Sequence, residues 1–174
     1  MVSPNWCRAL CALAMLLMLM VVTGCASYGP PIVLTARFDP QAAAFINTSG
    51  RAKISGQAFI RQNDGKLLRA TGTDVFLVPR TAYADARIAA IYGDGKQAIA
   101  GRAFADTDPL YDRFTRQTIA SSGGSFSFDH VADGAYYVIA MIHLPSDYSF
   151  YQMPILERVT VAGGKSVRLV MRGY

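Results

Sequence analysis

Few residues in this chain carry side chains suited to chemistry, and their types narrow what the protein can do. There are three cysteines (Cys7, Cys11, Cys25), two histidines (His130, His143), one glutamate (Glu157) and an acidic cluster, Asp106-Thr-Asp108-Pro-Leu-Tyr-Asp112. A nucleophilic serine needs a histidine and a carboxylate beside it, and no Gly-x-Ser-x-Gly elbow occurs. His130 closes one strand-like run, and His143 alternates with Tyr137, Ile139 and Met141, so a structural role is expected for both. A single Glu leaves no Glu pair for glycoside hydrolysis, and an Asp pair stays open. The acidic cluster offers the oxygen ligands that hard cations require. However, Tyr111 stands where a calcium loop needs Gly, and Gln117 where it needs a bidentate Glu. A solvated turn is expected there, with no metal and no cofactor.

A fourth group is aromatic: Tyr148, Phe150 and Tyr151, in a loop running from Asp147 to Pro154. Aromatic rings on a loop held by a rigid scaffold suit sugars or protein surfaces. The competing reading is that these rings cap one end of the domain.

The cysteines lead to the N-terminus. One basic residue, Arg8, precedes an apolar run from Ala9 to Val22, followed by Thr23-Gly24-Cys25. This is the layout of an export signal, and the run is shorter than the roughly 20 apolar residues a membrane-spanning helix needs. Val22-Thr23-Gly24-Cys25 resembles the bacterial lipobox. That resemblance implies lipidation of Cys25, removal of residues 1–24 as a signal peptide, and permanent anchoring by two or three acyl chains. Ala26 and Ser27 follow in place of the Asp that holds such proteins at the inner membrane, which implies the outer membrane, facing the periplasm. Cys7 and Cys11 leave with the signal, so no disulfide or thiol chemistry is expected.

Removing residues 1–24 takes away Arg8 and no acidic group, so the net charge of +5 falls to +4 over a length suited to one domain. The cations are scattered along the chain, with no basic run. Nucleic-acid binding is not expected, and weak attraction to an anionic surface is the most the balance supports.

Residues 25–50 read as a tether with local order, because Tyr28-Gly29-Pro30-Pro31, Asp39-Pro40 and Asn47-Thr48-Ser49-Gly50 are turn signals. From 51 to 174, short runs rich in Val, Ile, Phe and Tyr alternate with Gly- and Asp-containing turns. Ala52 to Arg61 ends in a hairpin-like turn at Asn63-Asp64-Gly65-Lys66, and Val75 to Val78 is a short buried strand. Ser125-Phe126-Ser127-Phe128 places both rings on one face. Tyr136 to Leu144 is apolar on both faces, hence central. Val159 and Val161, then Val167, Leu169 and Met171, suggest a closing hairpin. Ala82 to Tyr92 has the period of a short helix, ended by Gly93. That helix is a candidate to cover the outer face of the central strand.

Several of these pieces are similar to the carboxypeptidase-regulatory-like or transthyretin-like modules. They are Ile54-Ser-Gly-Gln-Ala58, Val75-Phe-Leu-Val-Pro79, Gly124-Ser-Phe-Ser-Phe128 and Val131-Ala-Asp-Gly-Ala-Tyr-Tyr-Val-Ile-Ala140. The resemblance implies an all-β, seven-stranded Greek-key β-sandwich, into which the short helix read from the period near 82–92 is inserted. The stretch 80–113 departs from the family pattern. Hydroxyisourate hydrolases share that fold family, but the C-terminal Met171-Arg-Gly-Tyr174 keeps only Arg-Gly of their motif. The expected function is therefore a non-enzymatic envelope lipoprotein serving as an interaction or structural module. A polysaccharide- or peptidoglycan-binding module using the aromatic loop ranks second and a hydrolase third; the expected partners are the membrane and an envelope protein or glycan. Cys25→Ser is predicted to release the protein from membranes or stall its processing, and unchanged membrane partition on fractionation contradicts the anchor.

Overall fold

A computed structural model of the chain describes residues 31–93, 104, 105, 107–144 and 151–173, with Tyr151 through its backbone alone. In chain order the elements are a one-turn helix α1 (Pro40–Ala43), a 3-10 turn (Ala44–Asn47), β1 (Ala52–Arg61), β2 (Leu67–Arg69) and β3 (Asp74–Pro79). Helix α2 (Ala82–Tyr92) and a second 3-10 turn (Tyr111–Phe114) come next. The chain closes with β4 (Arg116–Ile119), β5 (Ser125–Val131), β6 (Gly134–Leu144), β7 (Tyr151–Val161) and β8 (Val167–Gly173).

The strands form two four-stranded sheets, giving the expected all-β sandwich. In one sheet β1 is central. It pairs antiparallel with β5 along Ala52–Gln57 and with β2 along Phe59–Arg61, and its other edge pairs parallel with β8. The other sheet runs β4-β3-β6-β7, all antiparallel. Eight strands are present among the described residues, not seven, because the hairpin at Asn63–Lys66 returns as the three-residue β2. That turn is closed by Gln62 N–H to the Lys66 carbonyl (2.8 Å) and Lys66 N–H to Asp64 Oδ1 (3.0 Å).

The expected closing hairpin is corrected by the structure. After β7 the chain turns at Gly163-Gly164 and crosses to the opposite sheet, where β8 lies parallel to β1. The turn is held from outside, as Gly163 and Gly164 N–H donate to the two carboxylate oxygens of Asp133 (2.7 and 2.8 Å). Beyond this turn β8 finds its ladder on β1.

The inner faces of both sheets make the main core. It includes Ile54, Ala58 and Ile60 from β1, Phe126 and Phe128 from β5, Val75 and Leu77 from β3, and Tyr136, Val138, Ala140 and Ile142 from β6. The two Phe rings meet edge-on at 6.3 Å. Gly56 faces inward beneath them, and a Cβ there would lie 2.7 Å from the Phe126 ring, so the glycine makes room for the ring. Tyr136 is fully buried, yet its hydroxyl donates to the Ala132 carbonyl at 2.8 Å, satisfying the polar end of an apolar residue. Gly134 is needed for close approach as well as for turning, since a Cβ there would sit 2.5 Å from the Phe45 ring, which packs edge-on against Tyr136 at 5.2 Å.

β6 is central, as its two apolar faces require, with β3 on one edge and β7 on the other. Its outward residues, with those of β3 and β7, pack under α2: Ala84, Ile88 and Tyr92, one helical repeat apart, cover Val78, Tyr137 and Leu156. Thr81 caps the helix by accepting the Ala84 N–H at 3.2 Å. Asp85 in the first turn pairs with Arg80 (3.3 Å) and accepts the Tyr137 hydroxyl (2.7 Å). From residue 31 on, the stretch expected as tether packs on the sandwich. Ile46 reaches the main core, and Phe38 joins Tyr83, Tyr111 and Phe114 in a third apolar cluster.

Phe126→Ala is predicted to destabilise by about 3–5 kcal/mol, through lost burial and the cavity left between the sheets. Tyr136→Phe is predicted to cost about 1 kcal/mol, the net worth of one hydrogen bond. Urea unfolding checks both, and a loss below about 1 kcal/mol for Phe126→Ala contradicts the assigned face.

Candidate functional site

Between α2 and the outer face of the β4-β3-β6-β7 sheet lies a cleft of about 430 Å³. Phe76 and Val78 of β3, Gln117 of β4 and Ile139 of β6 line it from the sheet. Arg87, Ile88, Ile91 and Tyr92 line it from the helix, and Tyr111, Asp112 and Thr115 from the second 3-10 turn.

Arg87 dominates the electrostatics. Its guanidinium carbon lies 4.1 Å from the Phe104 ring centre, 4.8 Å from Tyr111 and 5.7 Å from Tyr83. Three aromatic faces around one cation supply electrostatic attraction. Its Nη1 is buried with no hydrogen-bond partner among the described residues, which costs stability. Burial pushes the Tyr111 phenol up to about 12, with Arg87 opposing the shift. Burial likewise pushes Tyr92 up, and the neighbouring Tyr111 adds to it. Both phenols are thus neutral hydroxyls across ordinary pH. Gln117 Nε2 is held by Asp74 Oδ1 at 2.6 Å, which fixes the amide at the cleft margin. The cleft therefore combines apolar and aromatic walls with one cation, one carboxylate and fixed amide and hydroxyl groups.

The residues singled out in the sequence lie elsewhere. Cys25, Tyr148 and Phe150 fall outside the described residues, and Tyr151 is placed by its backbone alone, paired with Leu144 at the start of β7. His143 is exposed near the end of β6, with a ring nitrogen 3.0 Å from Gln152 Nε2. His130 is exposed in a shallow depression with Ser49, Asp129 and Arg116. Its φ of 55° accompanies the end of β5, where its carbonyl accepts the Gly50 N–H. Among the described residues no hydrogen bond links its ring to Ser49 or Asp129, and Lys53 pairs with the Asp129 carboxylate at 3.1 Å. Of the acidic cluster, Asp106 lies outside the described residues. Asp108 caps a turn through Leu110 N–H (2.9 Å), and no metal-binding group of side chains occurs among the described residues.

Arg87 was not among the residues that the sequence drew attention to. The available signal was a lone arginine inside an alanine-rich helical run, one turn from both Tyr83 and Ile91. The aromatic partners Tyr111 and Phe104 come from beyond the helix and leave no local pattern.

No protein-family model matches the chain, and no curated protein matches it. Among solved structures, the chain is similar to a candidate carbohydrate-binding protein from Pseudomonas aeruginosa, at 22% identity and a TM-score of 0.62 over 79% of this chain and 99% of that one. It is also similar, at a TM-score of 0.38 and 16% identity, to the minor pilin of Streptococcus agalactiae, over 72% of this chain and 44% of the pilin. The first likeness shows the fold: a sandwich of the same design spans both chains.

The raised phenols set a pH dependence. Below the ordinary phenol value near 10 their neutral forms are common to folded and unfolded chains. Between about 10 and 12 the unfolded chain loses protons that Tyr111 retains when folded, so stability falls as pH rises. Tyr111→Phe is predicted to flatten that decline in alkaline melts, and an unchanged slope contradicts its burial.

Proposed function

We propose that the protein is a non-catalytic binding module of the bacterial cell envelope. A lipid on Cys25 holds it there, in the outer membrane facing the periplasm, and a saccharide sits in the Arg87 cleft. The observation that carries the ligand reading is the Arg87 side chain lining a cleft walled by Tyr92, Tyr111, Ile91 and Phe76. Sugar rings present apolar faces that suit such walls, together with hydroxyls and carboxylates that suit fixed polar groups. Arg87 favours a saccharide bearing a carboxylate, because a charge-assisted bond to a buried guanidinium is stronger than one to a neutral hydroxyl. The fold shared with a candidate carbohydrate-binding protein adds support.

Localisation and the transthyretin-like family rest on sequence resemblance, namely the lipobox at Val22–Cys25 and the motifs of β1, β3, β5 and β6. The non-catalytic reading rests on the sequence, which offers no Gly-x-Ser-x-Gly elbow and a single Glu.

The probe is the N-acetylglucosamine–N-acetylmuramic acid disaccharide, whose lactyl group supplies a carboxylate, titrated calorimetrically against the protein. Binding is predicted to weaken at least about tenfold in Arg87→Gln, the worth of one charge-assisted hydrogen bond. A smaller loss is predicted in Gln117→Ala, which leaves Arg87 untouched and guards against misfolding of the first variant. No binding, or equal binding by wild type and both variants, contradicts the proposal.

A further inference from the structure

The outer face of the β1 sheet carries the other unexplained feature. Side chains alternate along strands, so Lys53, Ser55, Gln57, Phe59 and Arg61 of β1 point away from the core, with Arg168, Val170 and Arg172 of β8 and Leu67 and Arg69 of β2. The pairing register sets these in rows. Arg69, Phe59 and Arg172 lie side by side across three strands, with Arg172 stacked over the Phe59 ring at 5.9 Å. Arg61 and Leu67 form the row on one side, and Gln57 with Val170, then Ser55 with Arg168, those on the other. Lys53 ends the ladder, paired with Asp129, the one carboxylate of this face among the described residues. Four arginines, all exposed, have no further carboxylate among the described residues of the face to neutralise them.

Cations alone would suit any polyanion, but this face also exposes apolar groups. Val170 is 51% and Leu67 36% exposed, both among the arginines, and Phe59 is half-buried between two of them. Arginine forks match phosphate groups, and apolar side chains interleaved with cations gain from the boundary between headgroups and acyl chains, which a soluble polyanion lacks. The opposite sheet is covered on its outside by α2, so this bare face and the Arg87 cleft are on opposite sides of the sandwich.

We propose that the outer face of β1, β2 and β8 docks the domain flat on an anionic phospholipid surface, leaving the cleft turned away from the membrane. The inference stands on the face itself and does not depend on the lipid at Cys25 or on the saccharide reading.

Residues 31–174 form one compact unit containing every strand and all three apolar clusters, so the unlipidated chain from residue 26 serves for the test. It is sedimented with vesicles of phosphatidylcholine alone and with about one-third phosphatidylglycerol, at low and high salt. Binding is predicted only to the anionic vesicles and to weaken with salt. The triple variant Arg69→Gln, Arg168→Gln, Arg172→Gln is predicted to bind on the order of 100-fold more weakly, about fivefold for each charge. Arg37→Gln, Arg113→Gln, Arg158→Gln carries the same charge change on other surfaces and is predicted to lose less than about tenfold. Leu67→Ser with Val170→Ser is predicted to weaken binding while keeping its salt dependence, with thermal melts confirming that all variants fold. Equal binding to both vesicle types, equal loss in the two arginine triples, or retention on immobilised heparin without vesicle binding overturns the proposal.

Discussion

The structure turns on a strand that is apolar on both sides. β6 cannot be satisfied by the opposing sheet alone: Tyr136, Val138, Ala140 and Ile142 fill the core, while Tyr137 and Ile139 emerge on the other face. Each large apolar side chain left exposed would forfeit about 1.5–3 kcal/mol. Helix α2 resolves this by laying Ala84, Ile88 and Tyr92 over Val78, Tyr137 and Leu156. Among the described residues the molecule is therefore a sandwich with a third layer over one sheet and none over the other.

That third layer also creates the cleft. Along the stripe 84, 88, 92 the helix is seated, but the neighbouring stripe of Tyr83, Arg87 and Ile91 faces the second 3-10 turn and the N-terminal segment. There Phe38, Tyr111 and Phe114 pack as a satellite cluster. A cation among rings, with one nitrogen unsatisfied, is a poor choice for stability alone. Its presence in an otherwise alanine-rich helix is what separates the cleft from ordinary packing irregularity.

Much of the sandwich was legible because its signals are local. Alternation in β5 assigned Phe126 and Phe128 to one face, the unbroken apolar run of β6 marked it central, and the helical period with Gly93 as stop delimited α2. What was not legible is set by pairings between distant residues. The turn from which β8 crosses to the far sheet is held by Asp133, which accepts from Gly163 and Gly164, thirty residues away along the chain. The basic face is invisible in sequence for the same reason: Arg69 and Arg172 become neighbours of Phe59 only through the ladders on either edge of β1. Residues 31–50 look like linker because Asp39-Pro40 and Asn47-Thr-Ser-Gly50 are turn signals that break the segment into short pieces. Phe38, Phe45 and Ile46 nonetheless each fill a gap left by the sandwich.

The central claim is that α2 is an integral layer whose seating on β6 shapes the cleft. Native-state amide hydrogen exchange tests it most directly, by comparing the opening free energy of α2 with that of β6. The account predicts that amides in the last two turns of α2 exchange only through the same global opening as Val138 to Ala140. Exchange of α2 at a much lower free energy, with β6 still protected, would mean that the helix is a loose appendage and the cleft is not preformed.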